Sequence, residues 1–357
     1  MKVAIVHPDT SVVVTDCPVP IPGPDQVLIK VAVAGTNPKD WKLPWWQNKP
    51  DNSGDDVAGT VESVGDGVVG FAQGDRVAAF HVMLTPAGAF AEYALAPSHT
   101  VMHMPASVSF EEAATLPLAA YTAAVALFHQ LEFPSPWDAA SAARDDDGTP
   151  GRPLVVYGAS TAIGAYAIKL ALRANIHPVI AVGSKNSAFV ASMLEAARGD
   201  VLVDYTAHAT PESLVEAIRA AAGPDGARDV FDAVSEQGTF VTLSRAIAGP
   251  PDDRGRKPRV TVVLPGSDYS AADPSVDVVV TSVGLVHKPE EKERLFGAVW
   301  GRVFERGLQA GWLEPHPHEV APGGLNGLEG ALKALREGKV RGKKMVVRIG
   351  ETEGVGQ

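Results

Sequence analysis

The stretch Val155-Val156-Tyr157-Gly158-Ala159-Ser160-Thr161-Ala162-Ile163-Gly164 decides the fold of this chain of 357 residues. An apolar run ends in a turn of small residues, and a helix-forming segment, residues 165–174, follows at once. A strand–turn–helix unit of this kind directs backbone N–H groups and the positive end of a helix dipole at one point, where a pyrophosphate group can bind. We therefore predict a nucleotide-binding unit in which Ser160, Thr161 and Ala162 lie against the ligand.

The next apolar run predicts which nucleotide is preferred. Pro178–Val182 ends in Gly183-Ser184-Lys185-Asn186, as expected of the second strand of a βαβ unit. Sites that select NAD usually place an acidic side chain at this tip to bind the ribose hydroxyls. Here the tip carries a hydroxyl, an ammonium and an amide, which suit a ribose 2′-phosphate. We therefore predict an NADP(H) site that uses Ser184, Lys185 and Asn186.

The glycine pattern of the turn is incomplete. Against the fingerprint G-x-G-x-x-G, Ala159 and Thr161 stand at the first two glycine positions, and Gly164 stands at the third. A threonine at the point of close approach either hinders the phosphate or offers it a hydroxyl group, and we favour the hydroxyl. The alternative interpretation is a buried strand–helix turn that binds no ligand.

Composition and charge narrow the class of protein. Apolar residues make up 45% and charged residues 20% of the chain, as in ordinary globular enzymes. The net charge of −11 argues against nonspecific binding to nucleic acid, which needs a basic surface. No apolar run reaches the ~20 residues of a membrane span. The only cysteine, Cys17, excludes an intrachain disulfide, so we expect a cytoplasmic protein without a membrane or nucleic-acid partner.

Two patterns divide the chain. Short β-like runs separated by Gly and Pro extend to about Leu118 and predict a compact barrel. From Leu154 to Leu264 strands and helices alternate, which predicts an α/β domain with a doubly wound parallel sheet. Four less regular elements are also predicted, namely a strand at Phe90–Leu95 and helices at Thr122–Leu131, Ser187–Ala197 and Glu293–Leu308.

The predicted domain boundaries follow from these patterns. Residues 1–122 and 296–357 are expected to form one domain, and residues 123–295 a nucleotide-binding domain, with a cleft between the two. Polar surface insertions are expected near residues 134–153 and 250–259, because both stretches are rich in Pro, Asp and Gly.

The order of these parts resembles the medium-chain dehydrogenase/reductase superfamily along essentially the whole chain. The segments that carry the resemblance are Gly35–Lys42, Asp56–Val61, Gly74–Val77, Gly158–Ser160 and Val340–Lys343. The resemblance implies a GroES-like β-barrel catalytic domain and a Rossmann nucleotide-binding domain, with the C-terminal part returning to the first domain.

The resemblance also bears on zinc. Zinc-dependent members carry a cysteine in the segment that corresponds to Ala34–Asp40, a His-Glu pair where this chain has Asp55-Asp56, and four clustered cysteines. This chain has none of these ligands at the matching positions. The pair His316 and His318 is interpreted as two histidines of a solvated loop. We therefore expect a member of the zinc-independent branch of quinone and enoyl reductases.

Within that branch the chain is similar to the trans-acting enoyl reductases that serve fungal polyketide synthases. The likeness rests on Asn37–Lys42, the Pro/Asp-rich insertion before the nucleotide strand, Gly158–Ala162 and Ser184–Asn186. It implies NADPH-dependent reduction of an α,β-unsaturated acyl thioester, either free or tethered to the acyl carrier domain of a polyketide synthase.

The same similarity implies two catalytic candidates. Lys42 could stabilise the enolate oxygen or hold the nicotinamide ribose, although it could also be a surface lysine beside Trp41. Thr122 corresponds to the start of the helix beside the nicotinamide, or is simply a helix N-cap. Further cofactor contacts are implied at Asn37, Asp40, Tyr205, Leu264, Val340 and Arg341.

Two other functions stay open at this point. An NADPH quinone oxidoreductase would have the same fold, and a non-catalytic cofactor-binding partner of a synthase would agree with the incomplete glycine pattern. A serine hydrolase is disfavoured, because Gly158–Ala162 lacks the second glycine of G-x-S-x-G.

Overall fold

The computed structural model describes residues 1–138, 152–185 and 187–355. The chain divides into two compact units, the first made of Met1–Tyr121 with Gly284–Gln357 and the second of Thr122–Val283. The return to the first unit thus begins earlier than the predicted residue 296. The reason is that residues 284–295 belong with the first unit, where His99 Nε2 donates to the Val286 carbonyl at 2.9 Å.

The second unit is built around a parallel sheet of six strands. From one edge to the other the strands are Val201–Asp204, Val179–Gly183, Leu154–Tyr157, Asp229–Asp232, Arg259–Val262 and Asp277–Val280. Its helices are Ala162–Arg173, Ala188–Ala191, Pro211–Ala222 and Thr239–Ile247. Each of the five strand pairs is parallel. This is the predicted doubly wound sheet, in which the carboxyl ends of all strands lie at one edge.

The burial of these elements explains why they form. Leu154–Val156 and the whole strand Val179–Gly183 are buried, as expected of inner strands covered on both faces. Helix Pro211–Ala222 begins at Thr210, whose side chain caps the N–H of Ser213, and it buries one apolar face. The apolar core beneath that helix contains Ile180, Val230 and Val260.

The first unit holds a mixed sheet of seven strands and a separate hairpin. The sheet order is His318–Ala321, Lys344–Arg348, Gln26–Gly35, Asp56–Val64, Arg76–Phe80 and Val101–His103, with Tyr93–Pro97 also pairing with Gln26–Gly35. The hairpin joins Lys2–Val6 to Val12–Asp16. The helices are Lys39–Gln47, Phe110–Ala113, Glu291–Ala310 and Leu328–Arg336. Helix Pro117–Ala124 spans the boundary residues Tyr121 and Thr122.

Several predicted elements differ in the structure. The predicted helix Ser187–Ala197 is only Ala188–Ala191, because the Asp200 carboxylate accepts the N–H of Glu195 and closes the segment as a turn. The predicted helix Thr122–Leu131 is wrong at both ends: it begins at Pro117, and Val125–Gln130 is a π-helical turn.

One further prediction needs correction. The strand expected at Phe90–Leu95 begins at Tyr93, since Phe90 is a fully buried residue of the preceding loop. The insertion near 250–259 is anchored to the fold, because Arg256 pairs with the buried Asp229 at 2.9 Å. Residues 139–151 of the other predicted insertion lie outside the described residues. Among the described helices, none is long and apolar enough to cross a membrane.

Candidate functional site

Gly158 makes the turn at the end of strand Leu154–Tyr157. It has φ +76°, in the left-handed region, and a Cβ there would lie 2.7 Å from Val234 Cγ2. Only glycine satisfies both conditions without strain. The turn glycine thus stands one position before the one that the fingerprint predicts, which explains how Ala159 can occupy that place.

The helix that follows begins with a side-chain cap. Thr161 is the N-cap, and its Oγ1 accepts the N–H of Gly164 at 3.0 Å. The N–H groups of Ala162 and Ile163, in the first turn, have no acceptor within the helix by its geometry. The Thr161 hydroxyl keeps its own proton for another acceptor. An anionic group would therefore meet two amides, a hydroxyl and the positive end of the helix dipole.

Gly164 sets how closely this helix approaches the strand. A Cβ at Gly164 would lie 2.3 Å from the carbonyl oxygen of Gly158, which no side chain permits. The helix N-terminus is therefore held against the turn by the absence of a side chain. Ser160, between the two glycines, is partly exposed beside the helix start.

Three strands end side by side next to this turn, at Tyr157, Gly183 and Asp204. After Gly183, Ser184 is half-buried and Lys185 is exposed. Tyr205 follows the strand Val201–Asp204, is 41% exposed, and has its ring centroid 6.1 Å from that of Tyr157.

The structure thus brings Ser160, Thr161, Ala162, Ser184, Lys185 and Tyr205 to one edge of the sheet. Asn186 lies outside the described residues. Leu264 follows the strand Arg259–Val262 at the same edge, and its carbonyl accepts the Tyr269 hydroxyl at 2.5 Å. That these residues contact a nucleotide stays a prediction.

In the first unit, Lys39 forms the centre of a buried charge network. Its ammonium lies 2.7 Å from Asp40 Oδ1 and also contacts Asp55 Oδ2 and the Ser53 carbonyl. Asp40 and Asp55 are 0% and 1% exposed. Asp55 Oδ1 further contacts His81 Nδ1 at 2.8 Å, while His81 Nε2 faces the Pro86 carbonyl at 3.0 Å. His81 thus joins the Asp55 carboxylate to the loop that carries Pro86.

Burial and pairing act on the two acids of this network in opposite directions. Burial raises the pKa of Asp40 to about 7, although Lys39 opposes the shift. Burial also disfavours the charged form of Asp55, but Lys39 and His81 outweigh it and hold the pKa of Asp55 below its usual value. The cluster therefore keeps Asp55 charged and lets Asp40 take up a proton near neutral pH.

A second buried ion pair holds Asn37, which was predicted to contact the cofactor. The fully buried Asp56 pairs with Lys344, and its Oδ2 also accepts the Asn37 amide at 2.7 Å. Asn37 Oδ1 accepts from Lys344 at 3.2 Å, and Asn37 N donates to Asp40 Oδ2 at 2.7 Å. Asn37 and Asp40 thus have internal roles in joining the strand ends. Their contact with a cofactor stays a prediction.

The catalytic candidates occupy helices. Lys42 lies in helix Lys39–Gln47, half-buried, with its ammonium 5.5 Å from the Trp41 ring centroid. Thr122 is 4% exposed and lies inside helix Pro117–Ala124, so the alternative that it is an N-cap is wrong. Their catalytic roles stay predictions.

The remaining two predicted contacts lie in the first unit, before the strand Lys344–Arg348. Val340 packs partly buried against the apolar core of that unit. Arg341 is exposed, and its Nε donates to the Gly338 carbonyl at 3.4 Å. That these two residues contact a cofactor stays a prediction.

The histidine pair of the C-terminal part does not lie in a solvated loop, as the sequence suggested. His316 is 1% exposed and its N–H donates to Thr115 Oγ1 at 3.1 Å, while His318 begins a strand. Over the described ranges, no group of three or more His, Cys, Asp or Glu side chains is arranged to hold a metal ion.

Four residues of the two networks and the turn escaped the sequence analysis: Lys39, His81, Lys344 and Gly158. Lys39 and Gly158 lie inside segments that the sequence analysis quoted. The signal available for Lys39 was its acidic neighbour Asp40. No local signal links Lys344 or His81 to their partners, which are distant in the chain.

Comparison with known proteins supports the assignment that the motifs suggested. Residues 23–106 match the alcohol dehydrogenase GroES-like domain. The chain is 40% identical to the trans-enoyl reductase fsr4 of Gibberella fujikuroi, over 92% of each chain. It is 31% identical to the trans-enoyl reductase resD of Aspergillus sclerotiorum, over 96% of this chain and 98% of the relative.

Solved structures agree on the fold. An alcohol dehydrogenase superfamily protein from Novosphingobium aromaticivorans superposes with a TM-score of 0.77 at 21% identity, covering 98% of this chain and 99% of that one. The CurK enoyl reductase gives a TM-score of 0.71 at 18% identity, covering 97% and 99%. At these identities the likeness shows the fold alone. Taken with the two fungal relatives, it shows that the chain belongs to the fungal trans-acting enoyl reductases of the medium-chain dehydrogenase/reductase superfamily.

Proposed function

We propose that this protein reduces the C=C bond of an α,β-unsaturated acyl thioester with NADPH. The observation that carries the proposal is the 40% identity to a trans-enoyl reductase along 92% of both chains. The substrate would be a polyketide intermediate, free or tethered to an acyl carrier domain of a polyketide synthase, and the reaction would take place in the cytoplasm.

The residues of the second unit fit a nicotinamide nucleotide. Neither Gly158 nor Gly164 has room for a Cβ, so the helix packs closely on the strand and its N-terminus is held at the turn, where a pyrophosphate would bind. Thr161, Ala162 and Ile163 would donate to its oxygens. Lys185 and Ser184 would bind the 2′-phosphate, with Tyr205 beside them. When bound, the nucleotide supplies the hydride.

The remaining work of this chain would be electrostatic. Reduction places negative charge on the thioester oxygen, and a positioned donor there can contribute about 3–4 kcal/mol. Lys42 is the proposed donor, with Thr122 as the second polar group. The network of Lys39, Asp40 and Asp55 would act at a distance from the reaction, by fixing the start of the helix that carries Lys42.

We further propose that the reaction needs no metal. Asp55 and Asp56 stand where zinc-dependent members carry a His-Glu pair, and both have cationic partners of this chain. Lys39 balances the charge of Asp55, and Lys344 balances that of Asp56. A cation would have to displace these partners before it could bind either carboxylate.

An NADPH-consumption assay tests the proposal. Crotonyl and longer α,β-unsaturated acyl pantetheine thioesters are the substrates, with a benzoquinone as the alternative acceptor and NADH as the alternative donor. Saturated acyl product and NADPH loss with the thioesters support the proposal. Turnover of the quinone alone indicates a quinone oxidoreductase, and no turnover with either indicates a non-catalytic partner.

The same assay tests the role of Lys42. Loss of an oxyanion donor is expected to lower kcat/KM about tenfold or more in the Lys42→Ala variant. Lys49→Ala, at an exposed lysine just beyond the same helix, is the matched control. Kinetics of Lys42→Ala equal to those of the control would remove Lys42 from the proposed mechanism.

A further inference from the structure

Beside the proposed 2′-phosphate subsite the chain carries a fixed carboxylate. Asp204 ends the strand Val201–Asp204, which is parallel to Val179–Gly183, and it pairs in register with Gly183. Gly183 immediately precedes Ser184 and Lys185. Asp204 therefore stands at the same edge of the sheet as the tip that would bind the phosphate.

Local hydrogen bonds hold this carboxylate in place. Asp204 Oδ1 accepts the Thr206 hydroxyl at 2.6 Å and the Thr206 N–H at 3.0 Å, which caps the turn Tyr205–Ala207. The backbone N–H and the charge of Lys185 also favour the ionised form of Asp204 and lower its pKa. Hydrogen bonds from Thr206 hold the pKa of Asp204 below its usual value, so the group is charged at neutral pH.

This arrangement has two consequences for a ligand. As a hydrogen-bond acceptor, Asp204 fixes the turn that carries Tyr205. As a charge, it opposes the attraction that Lys185 exerts on any phosphate bound at the tip, because the two charges have opposite sign and neighbouring positions. Lys185 could be proposed from the sequence next to Ser184, but Asp204 could not, because it lies at the end of a different strand.

We propose that Asp204 is a specificity-determining residue that weakens the preference for NADPH over NADH. The inference rests on the proposed function, because it assumes that the ribose end of a nicotinamide nucleotide lies at this tip. The chain would bind both nucleotides, with a preference smaller than Ser184, Lys185 and Tyr205 alone would give. NADH lacks the 2′-phosphate, so its binding would be insensitive to the charge of Asp204.

Two substitutions separate the charge from the hydrogen bonds. Asp204→Asn keeps an oxygen acceptor for Thr206 and removes the charge. Asp204→Ala removes both. Asp225→Asn, at an exposed position between helix Pro211–Ala222 and strand Asp229–Asp232, changes the net charge equally at the opposite edge of the sheet and is the matched control.

The readout is the ratio of dissociation constants for NADH and NADPH, measured by calorimetry on the full chain. Asp204→Asn is expected to raise the NADH/NADPH ratio about threefold to tenfold by tightening NADPH, as the loss of one nearby like charge allows. The gain should shrink at high ionic strength, since the group is exposed. Asp204→Ala should bind both nucleotides more weakly than Asp204→Asn, because the tip loses its hydrogen bonds.

A second probe makes the test independent of catalysis. Adenosine 2′,5′-bisphosphate and 5′-AMP differ only in the 2′-phosphate, and the Asn variant should favour the bisphosphate by the same factor. An unchanged ratio in Asp204→Asn, or an equal change in Asp225→Asn, overturns the inference. Binding of neither nucleotide would overturn it together with the proposed function. A shifted ratio without thioester reduction would leave the inference standing and remove the proposed reaction.

Discussion

Two polar clusters of this chain place their charged side chains in opposite environments. In the first unit Asp40, Asp55 and His81 lie buried around the partly buried Lys39, and these side chains bind one another. In the second unit Lys185 and Asp204, at the carboxyl edge of the parallel sheet, lie at the surface. Buried charges need partners of their own chain, because their desolvation is costly, whereas exposed charges keep water and can exchange it for a ligand. The buried cluster around Lys39 thus stabilises the fold, whereas Lys185 and Asp204 are accessible to a ligand.

The largest expected effect is on the buried network. Lys39→Met removes the cation between Asp40 and Asp55 and leaves two buried carboxylates facing each other. Breaking a buried pair in this way typically costs about 3–5 kcal/mol. Urea unfolding measures the free energy, with Lys49→Met, at an exposed lysine, as the control. A loss of unfolding free energy below about 1 kcal/mol, the usual value for an exposed pair, would contradict the difference drawn between the two clusters.

The pH dependence of stability sharpens the same contrast. Burial raises the pKa of Asp40 to about 7 in the folded chain, above the ordinary value of 3.8. The unfolded chain therefore loses this proton first as the pH rises, and the stability that Asp40 contributes declines between about pH 4 and pH 7.

Comparison with Asp40→Asn isolates that contribution. The free energy of unfolding of the native chain, relative to the variant, should fall across this range. Asp66→Asn, at an exposed aspartate, should show no such slope relative to the native chain. A relative stability that rises with pH would mean that Lys39 dominates and that Asp40 is an ordinary salt-bridged acid.

The next largest effect is expected from a substitution at the point where helix and strand of the second unit approach each other closely. Gly164→Ala places a Cβ 2.3 Å from the Gly158 carbonyl, so the helix N-terminus must move away. We expect a loss of about 1–3 kcal/mol in stability, typical of overpacking, and weaker binding of NADPH. The control is Gly330→Ala, in helix Leu328–Arg336, where a Cβ meets nothing within 4 Å. That change should stabilise the chain by about 0.5–1 kcal/mol. Unaltered NADPH binding in Gly164→Ala would separate this turn from the nucleotide.

Local sequence patterns predicted the fold where each element carries its own signal. The strand Leu154–Tyr157 and the helix Ala162–Arg173 lie where the apolar run and the helix-forming segment predicted them, because an apolar run, a cap and a helical period are all local. The helix at Ser187–Ala197 failed because Asp200, a residue beyond it, competes for the N–H of Glu195. The strand Asp277–Val280 was not predicted, since it is short and lies at the sheet edge.

The residues of the candidate site also differ in whether a local sequence signal marks them. Thr161, Ser184 and Lys185 could be proposed from sequence because each stands at a strand end or helix start. The partners of Lys344 could not, since Asp56 and Asn37 are about three hundred residues away in the chain and only the sheet order brings them together. The same holds for Asp204, whose relation to Lys185 depends on the pairing of two strands.

The smallest expected effect concerns the helix cap, where architecture and recognition meet in one side chain. Thr161→Val keeps the shape but removes the acceptor for the Gly164 N–H, which should cost about 1 kcal/mol, whereas Thr161→Ser should retain it. Thr210→Val removes the cap of helix Pro211–Ala222 and should cost a similar amount. Only Thr161→Val should also weaken the binding of NADPH, because only Thr161 is proposed to donate its hydroxyl proton to the phosphates. Equal nucleotide affinity in the two valine variants would mean that Thr161 is only a structural cap, just as Lys39 and Asp55 are structural charges in the first unit.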